Sequence, residues 1–482
     1  MPDFETYLSP FTWRYGSPAM RRLWSEHHNR LLWRRLWVTL AQVQSEFGHV
    51  SAAQLQDIRA HAEDIDLQQS FALESQIHHD LMAELKVFAG QCTVGGGVLH
   101  LGATSMDIKD NADVLRMRAS LDLILEKLAA LLEKTRAQII QHARTPIIAF
   151  THLQPAEPST LGYRFSQYAQ DLLDDYGNLL RVKAGLRGKG FRGAVGTAAA
   201  FGDLLGVEHL PQFEARLSDL MDLPFYPVSS QTYPRKQDYA VISALAGLGA
   251  SLYKIAFDLR ILQSPPIGEL AEPFSSQQVG SSAMPFKRNP ILAEKTNSLA
   301  RSLAQLPRLA WDNAAHSLLE RTLDDSANRR TMLPEAFLGA DELLQTAARI
   351  FDGLNVDEAA MQRNLAVYGP FAATERVLVA LVKAGADRQV VHAQLRELAL
   401  AAWESTRQGH ANPLVESVCT QPEFAAYVPP EELRTLMGAQ AHTGDAAQRA
   451  SALAEEIGVV LGRTTYQKQE THGQCRRSLG AP

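Results

Sequence analysis

Apolar side chains recur along this chain at helical intervals. Leu32, Leu36, Leu40, Val43 and Phe47 are separated by four, four, three and four residues, which lines them along one face of a helix. Gly48 follows them as a C-terminal stop. From Asp113 to about His142 the series Leu121, Leu125, Leu128 and Leu132 holds near-heptad spacing, and this predicts a helix roughly 45 Å long at 1.5 Å per residue. Comparable patterns cover 163–186, 237–262 and 291–315. Alternating apolar and polar runs with paired turn signals are scarce. The pattern predicts an all-α protein, a body of long helices packed as a bundle with smaller helical N- and C-terminal domains. Glycine and proline gather in the connections, at 95–97, 155–158, 185–196, 265–266 and 280–290. These breaks suggest an N-terminal helical domain at 1–105, the long-helix body at 106–357, a C-terminal helical domain at 358–464, and a frayed tail at 465–482 where apolar residues are few.

Composition narrows the functional classes. Among 482 residues, 46% are hydrophobic and 21% charged, which excludes a disordered or collagen-like chain. Lys and Arg number 47 against 53 Asp and Glu, a net charge of −6. That balance leaves no electrostatic footprint for nucleic acid or an anionic membrane, so neither is an expected partner. A local cluster of cations points instead to a small anionic ligand. Cys92, Cys419 and Cys475 form neither a CxxC pair nor a disulfide framework. The start, Met1-Pro2-Asp3-Phe4-Glu5, lacks the basic and apolar regions of a signal peptide. The stretch Val241–Phe257 is interrupted by glycines and Lys254 and is marginal for a membrane span. A cytoplasmic protein is expected.

Four segments carry candidate chemistry. Residues 280–290, Gly-Ser-Ser-Ala-Met-Pro-Phe-Lys-Arg-Asn-Pro, lead flexible and cationic residues into a helix start, with Asn289 as a fitting N-cap and Pro290 at the first position. Free amides there, beside Lys287 and Arg288, would attract a carboxylate or phosphate; a polar linker explains the composition equally well. The segment Thr151-His152-Leu153-Gln154-Pro155-Ala156 sets a histidine able to act as acid or base just before a helix, or is a structural turn. His100-Leu101-Gly102-Ala103-Thr104-Ser105 offers groups for a carboxylate, or is a turn leading to a cap around Asp110–Asp113. Residues 320–330, Glu-Arg-Thr-Leu-Asp-Asp-Ser-Ala-Asn-Arg-Arg, could grip a phosphate or form a solvated face. Two patterns are set aside. Gly188-Lys189-Gly190-Phe191-Arg192-Gly193 matches GxGxxG but follows a helical pattern rather than a strand. His78-His79-Asp80 lacks the spacing and partners of a metal centre, so no metal is expected.

Taken in order, these segments and Gln-Thr-Tyr-Pro-Arg-Lys at 231–236 resemble the fumarase/aspartase superfamily. The version SSAMPFKRNP and the run ERTLDDSANRR bring the chain nearest to its adenylosuccinate lyases of animal type, with a likeness reaching from Arg14-Tyr15 to Glu455. The resemblance implies a homotetramer around a central bundle, active sites shared between subunits, no cofactor, and release of fumarate from two purine nucleotide succinates. By match to the family's motifs, Ser281 is the base on the succinyl carbon and His152 the acid for the departing nitrogen. Lys287 and Asn289 hold carboxylates, as do Thr104 and Ser105. His79 lies near the phosphate and the acid, Gln231 is a substrate-binding amide, and Arg14, Tyr15, Arg321, Ser326 and Arg330 meet the nucleotide phosphate. The chain departs from the animal pattern at His78, Tyr163 and Lys295, so the preference between the two substrates does not carry over. Two other readings are an argininosuccinate lyase-like or other fumarate-releasing enzyme, and a non-catalytic structural oligomer like the lens crystallins derived from this superfamily.

Overall fold

A computed structural model describes residues 4–478, with side chains as far as residue 462. It is dominated by helices, and the longer ones, numbered in chain order, are α1 (Glu26–Glu46), α2 (Leu67–Ile77), α3 (Asp80–Gln91), α4 (Ser105–Gln141), α5 (Leu161–Ala184), α6 (Lys236–Leu262), α7 (Ile291–Leu303), α8 (Asp324–Asp352), α9 (Glu358–Lys383), α10 (Arg388–Arg407) and α11 (Ala446–Ser478). The all-α expectation holds. Of the tail expected from Thr465, residues 479–482 lie outside the described residues.

Side-chain caps set many of the starts. The Ser25 hydroxyl accepts the His28 N–H at 3.2 Å to begin α1, and Asp357 accepts the Ala360 N–H at 2.9 Å to begin α9. Helix α1 ends as its sequence indicates, with Gly48 at φ +82°. Its buried face is displaced slightly from the simplest stripe. Leu36, Leu40 and Val43 are buried with Trp33 and Trp37, while Leu32 and Phe47 are only partly covered.

Helix α4 begins eight residues before the expected Asp113 and, with 37 residues, runs roughly 55 Å. The extra turns went unseen because their buried face is polar: Asp107, Asp110 and Asn111 are fully covered. Leu121, Leu125, Leu128 and Leu132 are buried as the heptad spacing requires.

The described residues divide into two compact units. The first takes the chain up to Leu128 with Asp175–Leu252 and Ser298–Gln345. Its charged interior includes Arg34, whose Nε donates to Glu84 at 2.7 Å and whose Nη1 donates to the His61 carbonyl at 2.9 Å. Cys92 is buried in this unit; burial, with Asp57 adding to it, pushes its thiol up to about 11. At pH 8 about one Cys92 in a thousand is then thiolate. The expected result is that iodoacetamide leaves Cys92 unmodified in the native protein and labels it in urea, read by peptide mass mapping.

The second unit takes Ala129–Asp174, Tyr253–Asn297 and the chain from Thr346. Its C-terminal part packs Val377 and Leu381 of α9 against Val391 and Leu395 of α10, with Leu414, Phe424 and Leu433 closing the cluster. Against α9 also lies the main departure from helix, an antiparallel hairpin of β1 (Pro146–Thr151) and β2 (Gln154–Thr160). Its three prolines and lack of strict alternation hid it from periodicity.

Candidate active site

In the first unit, the 231–236 motif forms the hub of a buried charge network. The Tyr233 N–H donates to Asp110 at 2.8 Å, and Arg235 bridges Asp110 at 3.0 Å and Asp325 at 2.7 Å. The Tyr233 hydroxyl donates to Asp238 at 2.6 Å and accepts from Arg329 at 2.7 Å. Arg329 also donates to Asp238 at 2.8 Å and pairs with Asp113 at 3.2 Å. Burial would raise the Asp325 carboxyl, but Arg235, Arg329 and Arg321 outweigh it and hold it below the usual range. The network fixes the first turns of α8, and with them the orientation of the 320–330 run.

That run opens onto a small cavity of about 110 Å³ in which five cations face three carboxylates. Arg321, Ser326 and Arg330 are on its wall, beside Lys109, Trp24 and Trp33. Each exposed cation is held by a carboxylate. Arg321 donates to Asp325 at 2.8 Å, while Asp80 accepts from both Arg330 and Lys109 at 2.7 Å. Burial raises the Asp80 carboxyl, yet Lys109 and then Arg330 hold it far below its ordinary value. An incoming phosphate dianion would meet cations already oriented, and would compete with Asp80 and Asp325 for them.

His79 and Asp80 occupy the sharp junction between α2 and α3 rather than one helix face. His78 ends α2 at φ +55°, and His79 caps α3 by accepting the Met82 N–H on Nδ1 at 3.3 Å. The other ring nitrogen, Nε2, lies 3.4 Å from the Ser105 hydroxyl. With Nδ1 an acceptor, Nε2 carries the proton and donates. Thr104 precedes α4 and gives its N–H to Asp107 at 2.8 Å, so His79, Thr104 and Ser105 are brought together. Nearby His100 accepts the Trp37 indole N–H at 3.0 Å; burial lowers its pKa, keeping it neutral. Gln231 is tied by its N–H to the Glu320 carbonyl at 3.2 Å and by its side chain to the Ala194 carbonyl at 3.1 Å. Arg14 and Tyr15 follow a short N-terminal helix, Pro10–Trp13, and do not line the cavity.

The second unit holds the remaining candidates. His152 does not directly precede a helix: with Leu153 it forms the two-residue tip of the β1–β2 hairpin, nine residues before α5. Both tip residues are left-handed, at φ +54° and +60°, and both are exposed. Two non-glycine residues in that region are costly and mark a constrained turn.

The 280–290 loop folds on itself. The Ser281 hydroxyl accepts the N–H groups of Ala283 at 3.3 Å and Met284 at 3.1 Å, and Asn289 donates to the Gly280 carbonyl at 3.1 Å. A Cβ at position 280 would collide with the Lys287 carbonyl oxygen, so only glycine fits. The loop borders an open cleft of about 840 Å³, lined also by Lys287, Arg288 and Asn289.

One expectation fails at this loop. The amides at the start of α7 are not free for a ligand, because buried Glu272 accepts the Leu292 and Ala293 N–H groups at 3.0 Å. Burial raises the Glu272 carboxyl, and these amide bonds oppose that rise. Anion binding there rests on the loop's own groups. In the sequence Asp80 resembles only a metal ligand, and Lys109 and Glu272 belong to none of the motifs, since their partners Asp80 and Leu292 lie 29 and 20 residues away. Lys189 stood inside the discarded GxGxxG run.

Residues 18–304 match the family described as Lyase, and 370–452 match the one described as Adenylosuccinate lyase C-terminus. The chain is 39% identical over 434 residues to the adenylosuccinate lyase of Schistosoma mansoni, covering 88% of this chain and 90% of that protein. To the adenylosuccinate lyase of Saccharomyces cerevisiae it is 36% identical over 95% of each chain. The crystal structure of 3-carboxy-cis,cis-muconate lactonizing enzyme from Pseudomonas putida superposes with a TM-score of 0.81 at 26% identity, over 93% of this chain and 99% of that one.

Proposed function

Because the chain belongs to the adenylosuccinate lyase family of fumarate-releasing lyases, we propose that it cleaves adenylosuccinate to AMP and fumarate, and the succinyl-carboxamide imidazole ribotide to its free carboxamide and fumarate. The enzyme is a C–N lyase of purine synthesis. The observation that carries the substrate assignment is the cavity bounded by Arg321, Ser326 and Arg330, whose excess of cations suits a nucleotide monophosphate.

In this reading, Ser281 as alkoxide takes the proton from the succinyl carbon next to the carboxylate. The resulting electron pair becomes the C=C bond of fumarate as the C–N bond breaks, and His152 gives a proton to the departing nitrogen. A dianionic enolate-like species forms on the way, and the loop amides, Lys287 and Asn289 counter its charge. Remote binding of the phosphate by Arg321 and Arg330, with Arg14 and Tyr15, orients the succinyl group. Three subunits of a cytoplasmic homotetramer contribute to each site. That arrangement accounts for a chain whose candidate residues fall in two separate units.

The purified enzyme is expected to release fumarate from adenylosuccinate and none from argininosuccinate; turnover of argininosuccinate alone would overturn the assignment. His152→Ala is expected to cost on the order of 10² to 10⁴ in kcat. Mixing this variant with Ser281→Ala should restore part of the activity once subunits exchange. No recovery after proven exchange would exclude shared sites.

A further inference from the structure

The discarded GxGxxG run has a place in the fold that periodicity did not suggest. Its Lys189 is fully buried and forms an ion pair with the equally buried Asp107. The Asp107 carboxylate is shared four ways. Besides Lys189 it accepts the Thr104 N–H at 2.8 Å, the Arg192 N–H at 3.0 Å and the Gly193 N–H at 3.1 Å. Lys189 in turn donates to the Gly193 carbonyl at 3.0 Å. One carboxylate therefore joins the start of α4, where Thr104 and Ser105 stand, to the loop 188–196.

The same loop reaches Gln231. Ala194 supplies the carbonyl that the Gln231 side chain donates to, and Lys189 supplies the one that Ser229 donates to at 3.2 Å. At Gly196 a Cβ would collide with the Ser229 carbonyl oxygen, so the two backbones touch. On its outer side Arg192 anchors the loop by donating to both Glu214 oxygens at 2.8 and 2.7 Å and to the Pro227 carbonyl at 2.6 Å.

We propose that the Lys189–Asp107 pair and the loop 188–196 form a positioning element that sets Thr104 and Ser105 relative to Gln231, and so tunes recognition of the succinyl end of the substrate. This rests on the assignment of Thr104, Ser105 and Gln231 to substrate binding. A buried ion pair is an exacting way to hold two segments, because removing one partner leaves the other charged and uncompensated. Neither residue touches the phosphate cavity, so the effect is confined to one end of the ligand.

The test compares two probes, AMP for the phosphate end and succinate for the dicarboxylate end, as inhibitors of the purified enzyme, with wild-type turnover of adenylosuccinate measured first. Failure of wild-type turnover sinks the substrate assignment and is thereby distinguished from failure of the present proposal. In Lys189→Met, KM and the succinate inhibition constant should rise about 10-fold or more, with the AMP constant within about 2-fold of wild type. Lys189→Arg, which keeps the charge and donors, should return most of the succinate affinity. Equal weakening of both probes, or loss of kcat alone with both constants unchanged, overturns the proposal. Where Lys189→Met does not fold, Arg192→Ala decides: it leaves the buried pair in place, and succinate binding should weaken about 3-fold with AMP unchanged. No change of succinate relative to AMP in Arg192→Ala overturns the proposal as well.

Discussion

Ser281→Ala is expected to lower kcat on adenylosuccinate by on the order of 10³ to 10⁴ while leaving the fold and AMP affinity as they were. Ser281 is half-buried and its hydroxyl bonds within its own loop, so its loss leaves the packed cores untouched. What it does bear on is two backbone donors. The Ala283 and Met284 N–H groups already point at its oxygen, and hydrogen bonds to an anion favour the ionised form. A serine alone is far too weak a base; one whose alkoxide has two amides waiting and a lysine in the same loop is less so. Steady-state fumarate release with a thermal melt tests this. Turnover within 10-fold of wild type, in a well-folded variant, would remove Ser281 from the mechanism.

Arg329→Met has the opposite signature. The expected outcome is a loss of about 3–5 kcal/mol of stability, because Asp238 is left buried without the arginine that pairs with it and Asp113 keeps only Arg116. The Tyr233 hydroxyl also loses its donor. Denaturant unfolding followed by circular dichroism reads the loss. Activity at a temperature where the variant is folded should fall less steeply than in Ser281→Ala. As a comparison, Arg449→Ala removes an exposed pair with Asp445 one helical turn away, and the midpoint should not move. An equal shift for both arginines would mean that the buried network has no special place in stability.

The two outcomes separate what the sequence could reveal from what it could not. Helices with an apolar stripe were legible because the 3.6-residue period survives in the side-chain order, as at Leu36, Leu40 and Val43. The first turns of α4 were not, since Asp107, Asp110 and Asn111 are buried through partners far along the chain at Lys189, Arg235 and Gly190. Periodicity reports burial of apolar groups only. The hairpin was hidden by its prolines, and the cap on α7 by the sequence separation of 20 from Glu272 to Leu292. Candidate site residues were legible as motifs: Thr104 and Ser105 stood in the 100–105 segment, while Asp107, which accepts the Thr104 N–H, looked like an ordinary helix acid.

The hairpin tip carries a consequence for protein engineering. His152 and Leu153 both sit where asparagine and glycine would be more comfortable, so an algorithm rewarding thermal robustness would choose His152→Asn and Leu153→Gly among its first edits. The hardened protein would keep its melting curve and lose the group proposed here as its proton donor. A thermostability campaign on this chain therefore has to freeze that dipeptide before it begins.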